Sequence, residues 1–224
     1  TDLEGAGFGC LQCSEGNIAV GFSGVRNYEG PDFTSGFSFN VPVQEAYEAF
    51  DSDDPRRDIA ILNIDAWATA TGATFGTGFE HTGYFNRKYI PRTRSDQALA
   101  DLNLTNPNNY RSIRYADVLL MAAEANRGGI DETKAQGYLN DVRKRAFGDD
   151  LHDITATGES LTNAIYLERR LELVGEGHRF FDLVRTGKAA QEISGFQAGK
   201  HELFPIPAIE IQLAGNVWAQ NPGY

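Results

Sequence analysis

Glu168, Glu172 and Glu176 stand four residues apart, so a helix carrying them places all three carboxylates on one face, beside Arg169 and Arg179. Paired carboxylates are the apparatus of glycoside hydrolysis, which sets two of them roughly 5 to 10 Å apart across a sugar, with pKa values pushed in opposite directions. Interleaved arginines work against that division of labour, because they hold every nearby carboxylate ionised. The spacing therefore predicts structural ion pairing and no acid/base couple. Asp117 and Glu124, seven residues apart on one helical face, are expected to meet Arg169 and Arg170 from a neighbouring helix.

No other constellation suggests catalysis. His81, His152, His178 and His201 are scattered, without the spacing or the clustered carboxylates of a metal site, so neither a metal nor a cofactor is expected. Cys10 and Cys13 lie among glycines and not in a βαβ context; a loop pair, reduced or disulfide-linked, is expected. Gly72, Gly76 and Gly78 are not followed by Lys-Ser/Thr or by a helix start, so they give a negligible signal for a phosphate cradle.

Aromatic residues are the stronger candidates for binding. Trp67, Phe75, Phe79 and Tyr84, with His81 among them, fall in a Gly-rich stretch from Ala66 to Tyr84 that has no sustained period and reads as a long exposed loop. Flat rings on such a loop can stack on a sugar, or they can fold back and pin their own loop. The residues alone leave both readings open. Trp218, close to the terminal Asn221-Pro222-Gly223-Tyr224 turn, is not taken as a site.

The elements that must position these residues differ between the two halves. Residues 1–109 are rich in glycine and aromatics; residues 110–224 are helical in pattern, with an extended tail. In the first half, Ile18, Val20 and Phe22 alternate with small residues and predict a short strand. Val43, Ala46, Tyr47 and Phe50 predict a short helix ending before Asp54-Pro55. In the second half, the stripes Ile113, Ala116, Leu120, Ala123 and Ala135, Tyr138, Leu139, Val142, Ala146 predict an αα-hairpin broken at Gly128-Gly129. Asp131 is the expected N-cap of its second helix and Gly148 the expected stop. A third helix starts near Ser160 with Ala164, Leu167, Leu171 and Val174 as its stripe, and a fourth runs through Phe180, Phe181 and Val184 to Gly187. Pro205 and Pro207 then enforce extended chain.

Composition bounds the function. The chain has 224 residues, 41% hydrophobic and 23% charged, enough for a sizeable core without disulfide staples. No apolar run is long enough to span a membrane. A formal net charge of −11 argues against binding nucleic acid or anionic lipid through a basic surface.

Four stretches carry a resemblance to a known family. They are Asn40-Val41-Pro42 leading to Asp54-Pro55-Arg56-Arg57, then Ile113-Arg114-Tyr115-Ala116-Asp117-Val118-Leu119-Leu120-Met121 with Ala123-Glu124-Ala125. The third is Glu168-Arg169-Arg170 with Glu172-Leu173, followed by Glu176-Gly177-His178-Arg179-Phe180-Phe181-Asp182-Leu183-Val184-Arg185. The fourth is Leu203-Phe204-Pro205-Ile206-Pro207 and Gln220-Asn221-Pro222-Gly223-Tyr224. In this order they resemble the C-terminal region of the SusD/RagB proteins, from about Ile18 to Tyr224. The family's N-terminal half and its lipid-modified cysteine have no counterpart in the sequence, so the protein in the cell is expected to be longer.

The resemblance implies a mainly α fold, with tetratricopeptide-like helical hairpins of a SusD-type superhelix, short strands and long irregular loops. It further implies a non-enzymatic lipoprotein of the outer membrane, exposed at the cell surface. There it would bind oligo- or polysaccharides and deliver them to a SusC-like TonB-dependent transporter. Membrane contact would come only through a lipid anchor outside these residues. Under that reading the sugar-facing set is Trp67 and Tyr84, supported by Phe79 and His81, and the tail that carries Trp218 packs as structure. A glycoside-processing enzyme and a helical-repeat scaffold for protein partners are the competing readings.

Overall fold

The computed structural model describes residues 18–92 and 106–224; Cys10 and Cys13 lie outside the described residues. Two compact units divide the chain, Thr1–Glu176 and Gly177–Tyr224. Structure is mainly helical, with a single two-stranded sheet among the described residues.

The first unit opens with α1 (Ile18–Ser23), where the alternation of apolar residues had predicted a strand. Six residues are too few for a two-residue period to exclude a helical turn, and here glycine decides the outcome. A Cβ on Gly24 would come 2.9 Å from the Gly36 Cα, and this close approach folds the chain after α1 back on itself. The expected helix appears as α2 (Gln44–Glu48), and α3 (Arg56–Ala60) follows directly on Pro55.

Strand β1 (Ile61–Asn63) pairs antiparallel with β2 (Tyr84–Asn86), Leu62 opposite Phe85. Between them the structure departs from the expected long loop: residues Ile64–Thr71 form helix α4. The Asn63 side chain caps it by accepting from Ala66 N at 3.0 Å, and Gly72 closes it at φ 76°. The Thr69 and Thr71 hydroxyls donate to the carbonyls of Asp65 and Trp67 four residues back, each at 2.8 Å, so the threonines that read as loop-formers are absorbed by the helix. Only residues 72–83 remain irregular. Val25, Tyr28, Phe33, Leu62, Ile64 and Phe85 form the core beneath this region.

The helical part agrees with its pattern except at Ile113, which precedes its first helix and is exposed. Helices α5 (Tyr115–Asn126), α6 (Glu132–Phe147) and α7 (Gly158–Glu172) pack around Leu120, Ala123, Leu139, Val142, Leu161 and Ile165. Asp131 caps α6 by accepting from Lys134 N at 3.1 Å, and Gly148 ends it at φ 85°. On α7 and just past its end the expected stripe holds at Ala164, Leu171 and Val174 but not at Leu167, and the buried face is wider than expected. Leu161, Ile165, Glu168 and Glu172 face inward, whereas Leu167 stands 48% exposed. Two core positions on this helix are thus carboxylates.

The second unit contains α8 (Arg179–Arg185), α9 (Ala189–Glu192) and, within the tail expected to be extended, α10 (Ala208–Leu213). Pro207 explains the helix: it precedes Ala208 and needs no donor at a helix entrance. Ile206, between two prolines, exchanges both backbone groups with the Gln220 amide, N–H to Oε1 and Nε2 to C=O, each at 2.8 Å. A side chain here takes the place of a missing strand neighbour. Trp218, read as packing, is 54% exposed.

Candidate functional site

The four sequence-predicted residues do not share one environment. Trp67 lies on the inner side of α4, half-buried, its ring 5.3 Å from Phe33 and its Nε1 donating to the Tyr28 hydroxyl at 2.8 Å. Arg87 lays its guanidinium 5.3 Å from the same indole. His81 stacks on Phe75 at 5.9 Å and lies 6.0 Å from Phe85, with a buried Nδ1 that has no hydrogen-bond partner. Tyr84, on β2, stacks on Tyr47 at 4.8 Å and packs against a different core, that of Phe50, Ala60, Ile61 and Leu171. Phe79 is 88% exposed and is the ring of the four most open to solvent.

A second exposed aromatic group went unnoticed in the sequence. Phe22, Phe37 and Phe39 cluster with centroids 6.0 to 6.3 Å apart, and Phe39 is half exposed. Gly76 N donates to Arg26 O at 2.8 Å, and a Cβ on Gly78 would lie 3.0 Å from the Ser38 Cβ. The segment carrying Phe79 therefore runs against the one carrying Phe37 and Phe39. The recurrence Phe33, Phe37, Phe39 with intervening small residues was the available signal, but no regular period tied it to Phe79.

The glutamates form a buried clamp. Arg56 makes a two-point contact with Asp54, at 2.7 and 3.0 Å, and reaches Glu168 and, at 3.1 Å, Glu172. Arg143 holds Glu168 at 2.8 Å. Arg114 binds Glu176 through Nε and Nη2 at 2.7 and 2.8 Å and Glu172 at 2.9 Å, while Lys88 completes Glu176 at 2.6 Å. Arg145 is the third guanidinium on Glu172. Structural ion pairing was expected beside Arg169 and Arg179, and the cations that hold these carboxylates come from further along the chain. They are Arg56 on α3, Lys88 just after β2, Arg114 at the N-cap of α5, and Arg143 and Arg145 on α6. Arg169 instead pairs with Asp117 at 2.8 Å, as expected, whereas Arg170 donates to the Glu45 carbonyl, and Glu124 accepts from Tyr166 and lies 3.6 Å from Arg127.

Burial alone would raise the pKa of Glu172, yet Arg145 and Arg114 overcome it and hold the group below the ordinary glutamate range. Glu176 is likewise lowered, by Arg114 and Lys88 against the cost of burial. Burial pushes Lys88 down despite Glu176. Glu172 and Glu176, held ionised in this way, are not proton donors near neutrality.

In front of the clamp opens a pocket of about 450 Å³, lined by seven cationic side chains and by Glu172 and Glu176. Its outer arginines, Arg87, Arg92 and Arg111, were not singled out by spacing. The dense basic run Arg87-Lys88 and Arg92 in a chain of net charge −11 was the signal that could have found them. Among the described residues, no group of three or more His, Cys, Asp or Glu side chains could hold a metal ion.

The fold as a whole is that of one family. Residues 23–202 match the model of the SusD family, and the chain belongs to it. SusD-like protein P2 of Formosa agariphila is 31% identical over 90% of this chain and 43% of its own length. Among solved structures, a laminarin-binding SusD-like protein is 41% identical with a TM-score of 0.84, over 98% of this chain and 47% of that one. Surface glycan-binding protein A from Bacteroides thetaiotaomicron, in complex with laminarihexaose, is 30% identical with a TM-score of 0.71, over 90% of this chain and 46% of that one. The chain thus spans about half the length of the relatives it matches.

Proposed function

We propose that this protein binds glycans without processing them, at the cell surface of the outer membrane, and delivers oligosaccharides to a SusC-like TonB-dependent transporter. A lipid anchor would hold it to the membrane. The observation that carries the reading is the likeness to a laminarin-binding protein, 41% identical over 98% of this chain, together with exposed rings on a loop of the same fold. Laminarin-type oligosaccharides are the first ligands to test.

The sugar-facing surface in this proposal comprises Trp67, Phe79, His81 and Tyr84, with Phe39 beside them. Phe79 offers a flat, solvent-facing ring to the CH face of a pyranose, and Trp67, fixed by Tyr28 and Phe33, holds the base of the loop. The absence of a free carboxylate couple in the clamp supports a binding role over a hydrolytic one. Calorimetric titration of laminarihexaose into wild type, Phe79→Ala, Trp67→Ala and Trp218→Ala tests both parts. Binding by wild type that is lost in the first two and kept in the third is expected. Loss confined to Trp218→Ala would overturn the assignment of the surface.

A further inference from the structure

The cationic pocket is not accounted for by a neutral ligand on the aromatic surface. Of its seven cations, Arg56, Lys88, Arg114 and Arg145 are paired with the carboxylates of the clamp. Arg87, Arg92 and Arg111 have no carboxylate within ion-pair distance among the described residues. Each is instead laid on a ring: Arg87 at 5.3 Å from Trp67, Arg92 at 5.5 Å from Phe33 and Arg111 at 5.5 Å from Tyr89. Arg87 also donates from Nη1 to the Asp58 carbonyl at 2.7 Å.

Stacking has a definite consequence for an arginine. A ring within cation–π range restrains the guanidinium and part of its stem without using up its N–H donors, which stay available to a ligand. Less side-chain freedom is then lost on binding, and planar donors suit the oxygens of a carboxylate or sulfate. Solvated surface arginines would be spread out in a chain that is acidic overall. Here three stacked ones converge on a single pocket whose size lies in the small-molecule range of roughly 300–1,000 Å³.

We propose that this pocket is a second ligand site, which takes an oxyanion, the carboxylate of a uronate or the sulfate ester of a sulfated sugar, carried on a saccharide. Arg92 and Arg111 are the principal donors, with Arg87 behind them. Only the saccharide part rests on the function proposed above; the oxyanion part rests on the arginines.

The test is calorimetric titration of the 224-residue chain with four probes: an oligogalacturonate, a sulfated galactan oligosaccharide, laminarihexaose and inorganic sulfate. Proteins compared are wild type, Arg92→Gln/Arg111→Gln, Arg111→Lys and Lys134→Gln, with melting temperatures recorded alongside. At least one acidic oligosaccharide is expected to bind wild type, more weakly as salt rises, and to lose about tenfold or more in the double variant. Arg111→Lys, which keeps the charge but loses the planar fork, falls between. Lys134→Gln, which removes a charge elsewhere, changes nothing, and laminarihexaose binds all four proteins alike. Which acidic probe binds identifies the oxyanion. Acidic probes that bind no better than laminarihexaose, or that ignore the double variant, overturn the proposal; inorganic sulfate binding as tightly as the saccharides overturns its saccharide part. Failure of laminarihexaose alone, with acidic probes retained, removes the neutral-glycan reading and leaves the pocket standing.

Discussion

The clamp and the aromatic surface are built on opposite terms. In the clamp, Glu168, Glu172 and Glu176 are at most 4% exposed and every carboxylate is shared between at least two cations from distant parts of the chain. On the aromatic surface Phe79 is 88% exposed and has almost nothing to lose from the fold. Under the proposed function, stability falls to the clamp and recognition to Phe79, so a substitution at Glu172 or at Phe79 should affect one without the other.

The largest expected effect lies in the clamp. Glu172→Gln leaves three guanidinium groups short of a carboxylate in a buried setting, which should cost about 3–5 kcal/mol of stability. Urea denaturation reads this directly, and laminarihexaose affinity, measured where the variant is still folded, should not move. Lost affinity at unchanged stability would dissolve the contrast between the two regions.

Acid should act on the same region. Because Glu172 and Glu176 have folded pKa values below the ordinary one, their stabilisation is complete above the unfolded glutamate value of about 4.3 and is lost as pH falls through the lower folded values. The melting temperature should therefore drop below about pH 4.3, and less steeply in Glu176→Gln, which has one such group fewer. An identical acid profile in both proteins would place the sensitivity elsewhere.

Smaller effects belong to the aromatic side. Phe79→Ala should cost about 1–3 kcal/mol of binding to laminarihexaose while changing stability by less than about 0.5 kcal/mol. Trp67→Phe sharpens the comparison, since it keeps an aromatic body but deletes the donor to Tyr28. A stability loss of about 1 kcal/mol, read by thermal denaturation, is expected, with a weaker effect on binding than Phe79→Ala.

Local chemistry made part of this legible from the sequence. Asp131 and Gly148 marked the ends of α6 because a cap and a left-handed stop depend only on neighbouring residues. The same locality failed at α4, where threonine and glycine content outweighed the face formed by Ile64, Trp67 and Ala68. On α7, hydrophobicity selected Leu167 as a core residue because it could not foresee that Glu168 and Glu172 would be buried by cations. Arg56 is 112 residues from Glu168 in sequence, a separation no periodicity reports. The aromatic candidates were legible as residue types, but their exposure was not: it depends on which rings the two cores absorb, and Trp67 and Tyr84 are partly absorbed by different ones.

The sharing of Glu172 also governs how this protein can vary over generations. A lineage that loses that carboxylate removes one partner from Arg56, which keeps Asp54 and Glu168, one from Arg114, which keeps Glu176, and the only carboxylate within ion-pair distance of Arg145 among the described residues, so drift at the position is opposed unless other codons change in concert. Arg145, with its side chain 56% exposed, is the one partner water can replace, and it is the point at which such a concerted change can begin.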